Sequence, residues 1–413
     1  MRRIENRKAI LIMSAKTKQS EIRKIPKLRF SEFSGEWQKN KLEDMEVFVS
    51  DGNYGEMYPK ASEMKDSGVP FIRANNIKNL KIVWDDMKYI NDELHGMLQS
   101  GHLKKDDILV TTRGNTGTLA YVDEDFNNAN INAQICLLRC GKNISPRFLL
   151  NYLSSRIGQK QFKELQTGSA LQQLPKGNLA KIKFNLPFLP EQQKIAEFLG
   201  TTDEWIENLR LQKKLFEFYK KGITQKIFSQ GIRFKDNEGN NFSRWKEKKL
   251  GDVCDLYQPR TISKNEMIKN GKFLVFGANG IIGRYNKYNH ENSEIAITCR
   301  GATCGNINFT KPKSWITGNA MIAHPINPNL LDKIFMFYYL KFVDLNSVIT
   351  GMAQPQITRK DLKLVKIVIP LDIKEQQKIA KFLTSIDDSI NSKQQQITQV
   401  ESWKKGLMQG LFV

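Results

Sequence analysis

Cysteine is scarce in this chain of 413 residues: Cys136, Cys140, Cys254, Cys299 and Cys304 are the only five. An odd, scattered set builds no disulfide framework. With no Cys-x-x-Cys and no ligand spacing among His95, His102, His290 and His324, it builds no zinc site either. Buried thiols on strands, in a reducing cytoplasmic setting, are the expectation. Long apolar runs are also missing. None approaches the roughly 18 residues of a spanning helix, so no membrane partner is expected. The patch Ala9–Met13 is shorter than the roughly 7–15 residues of a signal-peptide core, and residues 1–25 read as a basic, poorly ordered arm. No GxxxxGK[ST] loop occurs, which leaves ATP-driven translocation out of this chain. Gly277–Gly283 has the wrong glycine spacing for a dinucleotide loop. There is no Asn-Pro-Pro-aromatic methyltransferase signature, no Ser/His/Asp or Cys/His arrangement, and no carboxylate pair that stands out. The chain is therefore expected to be non-catalytic, with no cofactor or metal of its own.

Negative charge is the remaining shortage. Asp and Glu number 43 against 64 Lys and Arg, a formal net charge of +21. That excess favours a polyanionic partner, nucleic acid before an anionic membrane. Hydrophobic residues make up 40%, enough for real cores in two or three domains.

What is present, above all, is an internal repeat. Trp37 with Lys41-Leu42 is echoed by Trp245 with Lys249-Leu250, and Thr112-Arg113-Gly114 by Cys299-Arg300-Gly301. Asn132-Ala133 is echoed by Asn319-Ala320, and Thr167-Gly168 to Gln173 by Thr350-Gly351 to Gln356. Glu191-Gln-Gln-Lys-Ile-Ala196 returns as Glu375-Gln-Gln-Lys-Ile-Ala380. The spacing drifts at the fronts of the halves and settles near their ends. Each half thus reads as a variable domain followed by a constrained segment.

The constrained segments carry a heptad seam. In the first it runs Ile195, Leu199, Thr202, Ile206, Leu209, Lys213, Phe216, Lys220, Ile223, Ile227. In the second it runs Ile379, Leu383, Ile386, Ile390, Lys393, Ile397, Val400, Lys404, Leu407, Leu411. Pro187 and Pro190 stand before the first run and Pro370 before the second, where helices start. Neither helix buries such a seam alone, so the economical arrangement packs the two on each other with pseudo-two-fold symmetry. The alternative is that each covers its own domain. Trp205, Phe218, Tyr219 and Trp403 suit either a partner protein or the core.

Five segments follow: the arm 1–25, domains at 26–186 and 232–370, and helical spacers at 187–231 and 371–413. The domains are expected to be α/β (mixed α+β), with strands at Asp107–Thr112, Asn132–Arg139 and Glu294–Cys299 and helices at Pro146–Leu153 and Leu330–Phe342. Their Gly-marked loops carry polar and basic residues suited to base edges and phosphates. In the first domain these are Asn53, Tyr54 and Lys60; Arg73, Asn75 and Asn76; Arg113, Asn115 and Thr116; and Lys176. In the second they are Arg260, Asn279, Arg284, Arg300, Thr303, Gln356, Arg359 and Lys360. Any one such loop is otherwise a plain turn. The Arg-Gly loop that recurs in both halves is the stronger signal.

Two variable domains, each followed by Pro…Glu-Gln-Gln-Lys-Ile-Ala-x-Phe-Leu and a coiled-coil helix, resemble the specificity subunit of type I restriction-modification systems. The matching residues are Pro187 with Glu191–Leu199 and Pro370 with Glu375–Leu383. Asp51–Lys60, Tyr257–Arg260 and Gly277–Gly280 are similar to loops of that family's target-recognition domains. The resemblance covers residues 26–413. It implies that each target-recognition domain reads one half of a bipartite site on double-stranded DNA. It implies that the two helices pair antiparallel as a ruler and bind two methylation subunits, with restriction subunits joining the complex. S-adenosylmethionine, ATP and Mg would sit on those partners. A nucleic-acid-binding coiled-coil scaffold unrelated to restriction is the alternative.

Overall fold

The computed structural model describes residues 11–13, 25–54, 58–169, 171–351 and 353–413. The chain divides into two compact units, one holding residues up to Leu209 together with Gln396–Val413, the other Arg210–Gln395. The division falls inside the long helices. Each unit therefore contains one α/β domain and a stretch of both helices. Of the N-terminal arm, Leu11–Met13 forms a strand antiparallel to Leu28–Phe30; the rest of it, to residue 24, lies outside the described residues.

In the first unit, Ile108–Thr111 is buried at every position. A strand covered on both faces needs an unbroken apolar run rather than alternation, as its Ile-Leu-Val sequence provides. It lies inside a six-stranded sheet between Ile135–Cys140 and Leu119–Tyr121, with Val47–Asp51 at one edge. A three-stranded sheet pairs Val69–Ile72 parallel to Asn130–Ile131 and antiparallel to Lys88–Ile90. The second unit repeats this plan in smaller form. Ile295–Thr298, again buried throughout, lies between Ala320–Pro325 and Ile307–Phe309, with Cys254–Tyr257 at the edge. Its three-stranded sheet pairs Phe273–Gly277 parallel to Ser314–Ile316 and antiparallel to Gly280–Tyr285. The same order and sense of strands in both units is the structural form of the repeat.

The expected short helices are present. Pro146–Ser154 begins with proline in its first turn and the Ser145 hydroxyl accepting from the Phe148 amide at 3.4 Å, a cap suited to orphan N–H groups. It buries Phe148, Leu149, Tyr152 and Leu153. Lys333–Phe342 is capped by the Asp332 carboxylate, which accepts from the Phe335 amide at 2.8 Å.

The long helices run Leu189–Phe228 and Ile373–Leu411, each about 60 Å at roughly 1.5 Å per residue. Every seam position of both is buried or half-buried, while most positions between are exposed. Within the first unit, Ile206 and Leu209 cluster with Ile397 and Val400, and Lys404 meets Asp203 at 2.5 Å. Leu407, Leu411 and Phe412 enter that unit's core beside Phe148 and Tyr152. Within the second unit, Lys220 meets Asp387 at 2.6 Å, and Ile227, Phe228, Ile379, Leu383 and Ile386 share the core. Among the described residues, no helix is long and apolar enough to cross a membrane.

The Glu-Gln-Gln-Lys-Ile-Ala blocks fasten each domain to its helix. The Glu191 carboxylate accepts from Arg29 at 2.8 Å and from the Trp37 indole at 3.2 Å. Gln192 accepts from the Ser145 amide and donates to the carbonyls of Asn143 and Pro187. In the second unit Glu375 pairs with Arg233 at 2.7 Å, and Gln376 accepts from the Asp332 amide and donates to the Leu330 and Pro370 carbonyls. A buried glutamine amide saturated by three backbone groups holds its neighbours in one register.

All five thiols are free. Burial pushes Cys136, Cys140 and Cys254 up to about 12. At pH 8 these stay protonated and unreactive, so alkylation of the three is expected to be slow in the native chain and rapid after denaturation. Equal rates in the two states would contradict their burial.

Candidate nucleic-acid interface

The two Arg-Gly loops are built on one pattern. Arg113 follows the buried central strand of the first unit and forms a β-bridge with Gln173, which also bridges Thr167. Arg300 follows the equivalent strand of the second unit and bridges Gln356, which also bridges Thr350. The Leu174 amide donates to the Thr112 carbonyl at 2.9 Å, and the Ile357 amide to the Cys299 carbonyl at 3.0 Å. Each arginine is exposed at the end of a strand whose own side chains are buried, so a rigid core element aims it outward.

Around Arg113 the first unit gathers several expected residues. Its guanidinium lies over the Tyr54 ring, 5.5 Å from the centroid, and the Tyr54 hydroxyl donates to the Ala133 carbonyl at 2.8 Å. Asn115 is exposed, and its carbonyl accepts from the hydroxyls of Thr111 and Thr118, closing the loop. Thr116 is half-buried and accepts from the Gln166 amide. Lys176, exposed in the first turn of a short helix, reaches Asp51 at 3.4 Å. A cleft of about 660 Å3 opens beside Arg113, lined also by Gln134, Ser169, Leu171, Gln172 and Gln173. The second unit repeats the basic contact: Arg359, also in a helical first turn, reaches Asp255 at 3.4 Å, with Lys360 exposed next to it. Gln356 is exposed and Thr303 half-buried. Asn279 is exposed in the tight turn between two strands, where its side-chain Oδ1 accepts from the Asn306 side-chain amide at 3.3 Å. Arg260 is exposed, and its carbonyl accepts from the Trp315 indole at 3.1 Å.

Two of the other expected residues are turned inward. Asn53 is buried, donating to the Ser100 carbonyl and accepting from the Gln99 and Ser100 amides. Asn76 is fully buried; it accepts from the Arg73 amide and donates to the Val83 and Asp85 carbonyls. With their hydrogen-bonding groups spent, both asparagines shape loops and present nothing to a base. Arg284 lies on a strand rather than in a loop, and its guanidinium donates to the Gly271 and Lys272 carbonyls. Arg73 is half-buried against Asp86 at 2.9 Å, which Asn75 also approaches at 3.5 Å. The Arg73 hydrogen bond holds the Asp86 carboxyl below its usual range. Lys60 is exposed, and its amide donates to Glu63. Residues 55–57 of the Asp51–Lys60 stretch lie outside the described residues.

The hairpins 167–173 and 350–356 were visible as a repeated block, of which the sequence marked Gln356 alone for the site; the bridge to the arginine brings in Gln173. Among the described residues no group of three His, Cys, Asp or Glu is gathered as for a metal ion.

Comparison with known proteins places the whole chain beside characterised relatives. The model of the type I restriction modification DNA specificity domain matches residues 34–217 and again 243–402. The chain is 28% identical, over 418 residues, to a Methanocaldococcus jannaschii protein assigned as the MjaX specificity subunit of a type I restriction enzyme, covering 95% of this chain and 94% of that protein. It is 27% identical over 198 residues to the EcoprrI specificity subunit of Escherichia coli, covering 47% and 45% of the two chains. Its fold is similar to that of a solved type I restriction-modification S subunit from M. genitalium, with a TM-score of 0.62 at 18% identity, covering 94% of this chain and 99% of that one.

Proposed function

Because this chain belongs to the type I restriction-modification DNA specificity family, we propose that its two units read the two halves of a bipartite site on double-stranded DNA. The observation that carries this is the recurrence of one exposed arginine loop, bridged to one glutamine, at the same strand end in both units. An arginine at that position reaches guanine O6 and N7, a glutamine adenine N6 and N7, while Lys176, Arg359 and Lys360 are placed for phosphates. The side chains around the two arginines differ, so the half-sites differ.

The long helices are the ruler between half-sites. Support comes from the Lys404–Asp203 and Lys220–Asp387 pairs: the step from 203 to 220 along one helix equals the step from 404 back to 387 along the other. An antiparallel coiled coil with pseudo-two-fold symmetry keeps that register. Their outer faces, with Phe218, Tyr219, Trp205 and Trp403 exposed, dock two methylation subunits, and restriction subunits join through the complex. S-adenosylmethionine, ATP and Mg belong to those partners, and the assembly works in the cytoplasm. The chain itself selects DNA and transfers nothing.

Arg113→Ala is expected to relax or abolish readout of one half-site and Arg300→Ala that of the other, each weakening specific binding about 5–150-fold, the span of roughly 1–3 kcal/mol for a bidentate base contact. Methylation mapping in a host carrying the partner methyltransferase checks this. Wild-type methylation of the full site by both variants would refute the proposal, as would methylation or cleavage by the purified chain alone.

A further inference from the structure

The cleft beside Arg113 holds one side chain that base and phosphate contacts leave unused. Leu171 is 80% exposed at the tip of the 167–173 hairpin. Its neighbours in the cleft are Arg113, Gln134, Ser169, Gln172 and Gln173, with no carboxylate among them. An aliphatic side chain set among cationic and amide groups in one cleft fits an apolar group carried on an otherwise polar, anionic ligand.

The tip is held in place. Thr167 and Gln173 exchange both backbone hydrogen bonds at 2.8 Å. Gly168 sits at φ +90°, and a Cβ there would lie 2.5 Å from the Leu171 carbonyl oxygen, so only glycine closes the turn. The second unit builds the same frame: Thr350 and Gln356 exchange both bonds at 2.8 Å, and Gly351 sits at φ +84° with its Cβ position 2.6 Å from the Gln354 carbonyl oxygen. Where the first frame places Leu171, the second places Gln354.

Resting on the DNA-reading function proposed above, we infer that Leu171 reads a thymine in the first half-site through its 5-methyl group, in the major groove beside the base pair met by Arg113. The thymine methyl is the apolar group a major-groove base edge offers.

The test uses the full chain and its target duplex, with each thymine of both half-sites replaced in turn by deoxyuridine, which lacks only the methyl. One thymine in the first half-site is expected to show about four-fold weaker binding on replacement, the weight of one buried methyl. Leu171→Ala is expected to bind the thymine and uridine duplexes alike and to melt like the wild type, since the side chain is exposed. A wild type indifferent to every replacement, a first half-site without thymine, or a Leu171→Ala chain that keeps the sensitivity overturns the inference. So does a variant that loses assembly with the methylation subunits while its DNA binding is intact. Arg113→Ala and Arg300→Ala separate the two claims: if they bind like wild type, the DNA-reading function falls, and if they alone lose binding, only the role of Leu171 does.

Discussion

Glu375→Ala is expected to destabilise the second unit by about 1–3 kcal/mol, because it strands a half-buried guanidinium. Glu375 is 0% exposed and holds Arg233 through three hydrogen bonds. Removing the carboxylate leaves Arg233 with the Ser243 carbonyl alone among its side-chain partners. It also loosens the junction of domain and helix at the point where Gln376 ties the chain to Leu330 and Pro370. Glu191→Ala acts likewise on the first unit and frees the Trp37 indole as well. The matched control is Glu164→Ala, whose exposed pairing with Lys160 at 3.5 Å contributes little. Thermal or urea unfolding reads the difference. Equal midpoints for Glu375→Ala and Glu164→Ala would show that the bridge contributes nothing. Glu375→Gln separates charge from shape: it keeps a hydrogen-bonding group of the same size, and most of the loss should remain.

The second large effect concerns the ruler. Seven residues inserted after Leu209, matched by seven more before Gln396, preserve the seam on both helices and lengthen each by about 10 Å at roughly 1.5 Å per residue. The gap between half-sites is then expected to grow by about three base pairs, at roughly 3.4 Å each, with both half-sites unchanged. The same insertion in the first helix alone breaks the register that places Lys220 on Asp387 and Lys404 on Asp203, and target methylation should be lost. Methylation mapping distinguishes the outcomes. An unchanged gap in the double insertion would exclude the helices as the ruler.

Much of the architecture was legible before any coordinates. The heptad seam, including its lysines, is the buried stripe of both helices, because a 3.5-residue repeat has one physical use. The shortage of catalytic and metal-ligating patterns and the excess of positive charge pointed to a non-catalytic partner of a polyanion. The Arg113 and Arg300 loops stood out because they recur. The lysine interruptions gained a reason only with the fold: Lys220 and Lys404 sit in the seam because Asp387 and Asp203 meet them there.

The division between exposed and buried polar residues was not legible. Asn53 and Asn76 have the composition of base-reading residues, but both are buried and spend their side chains on backbone groups. Asn53 finds them at Ser100, which is remote in the chain. Arg29 and Arg233 carry no motif at all, and they matter only because Glu191 and Glu375 fold onto them. The sequence by itself determined the repeat, the two helices with their seam, the paired arginine loops and the membership of a DNA-specificity family. Each of these is written in local spacing and residue type. The tertiary structure alone decided which polar side chains remain free for a ligand, and that the Thr-Gly hairpins stand beside the arginines. A buried polar group must take whatever partner the fold brings within hydrogen-bonding distance, and that partner is seldom a neighbour in sequence.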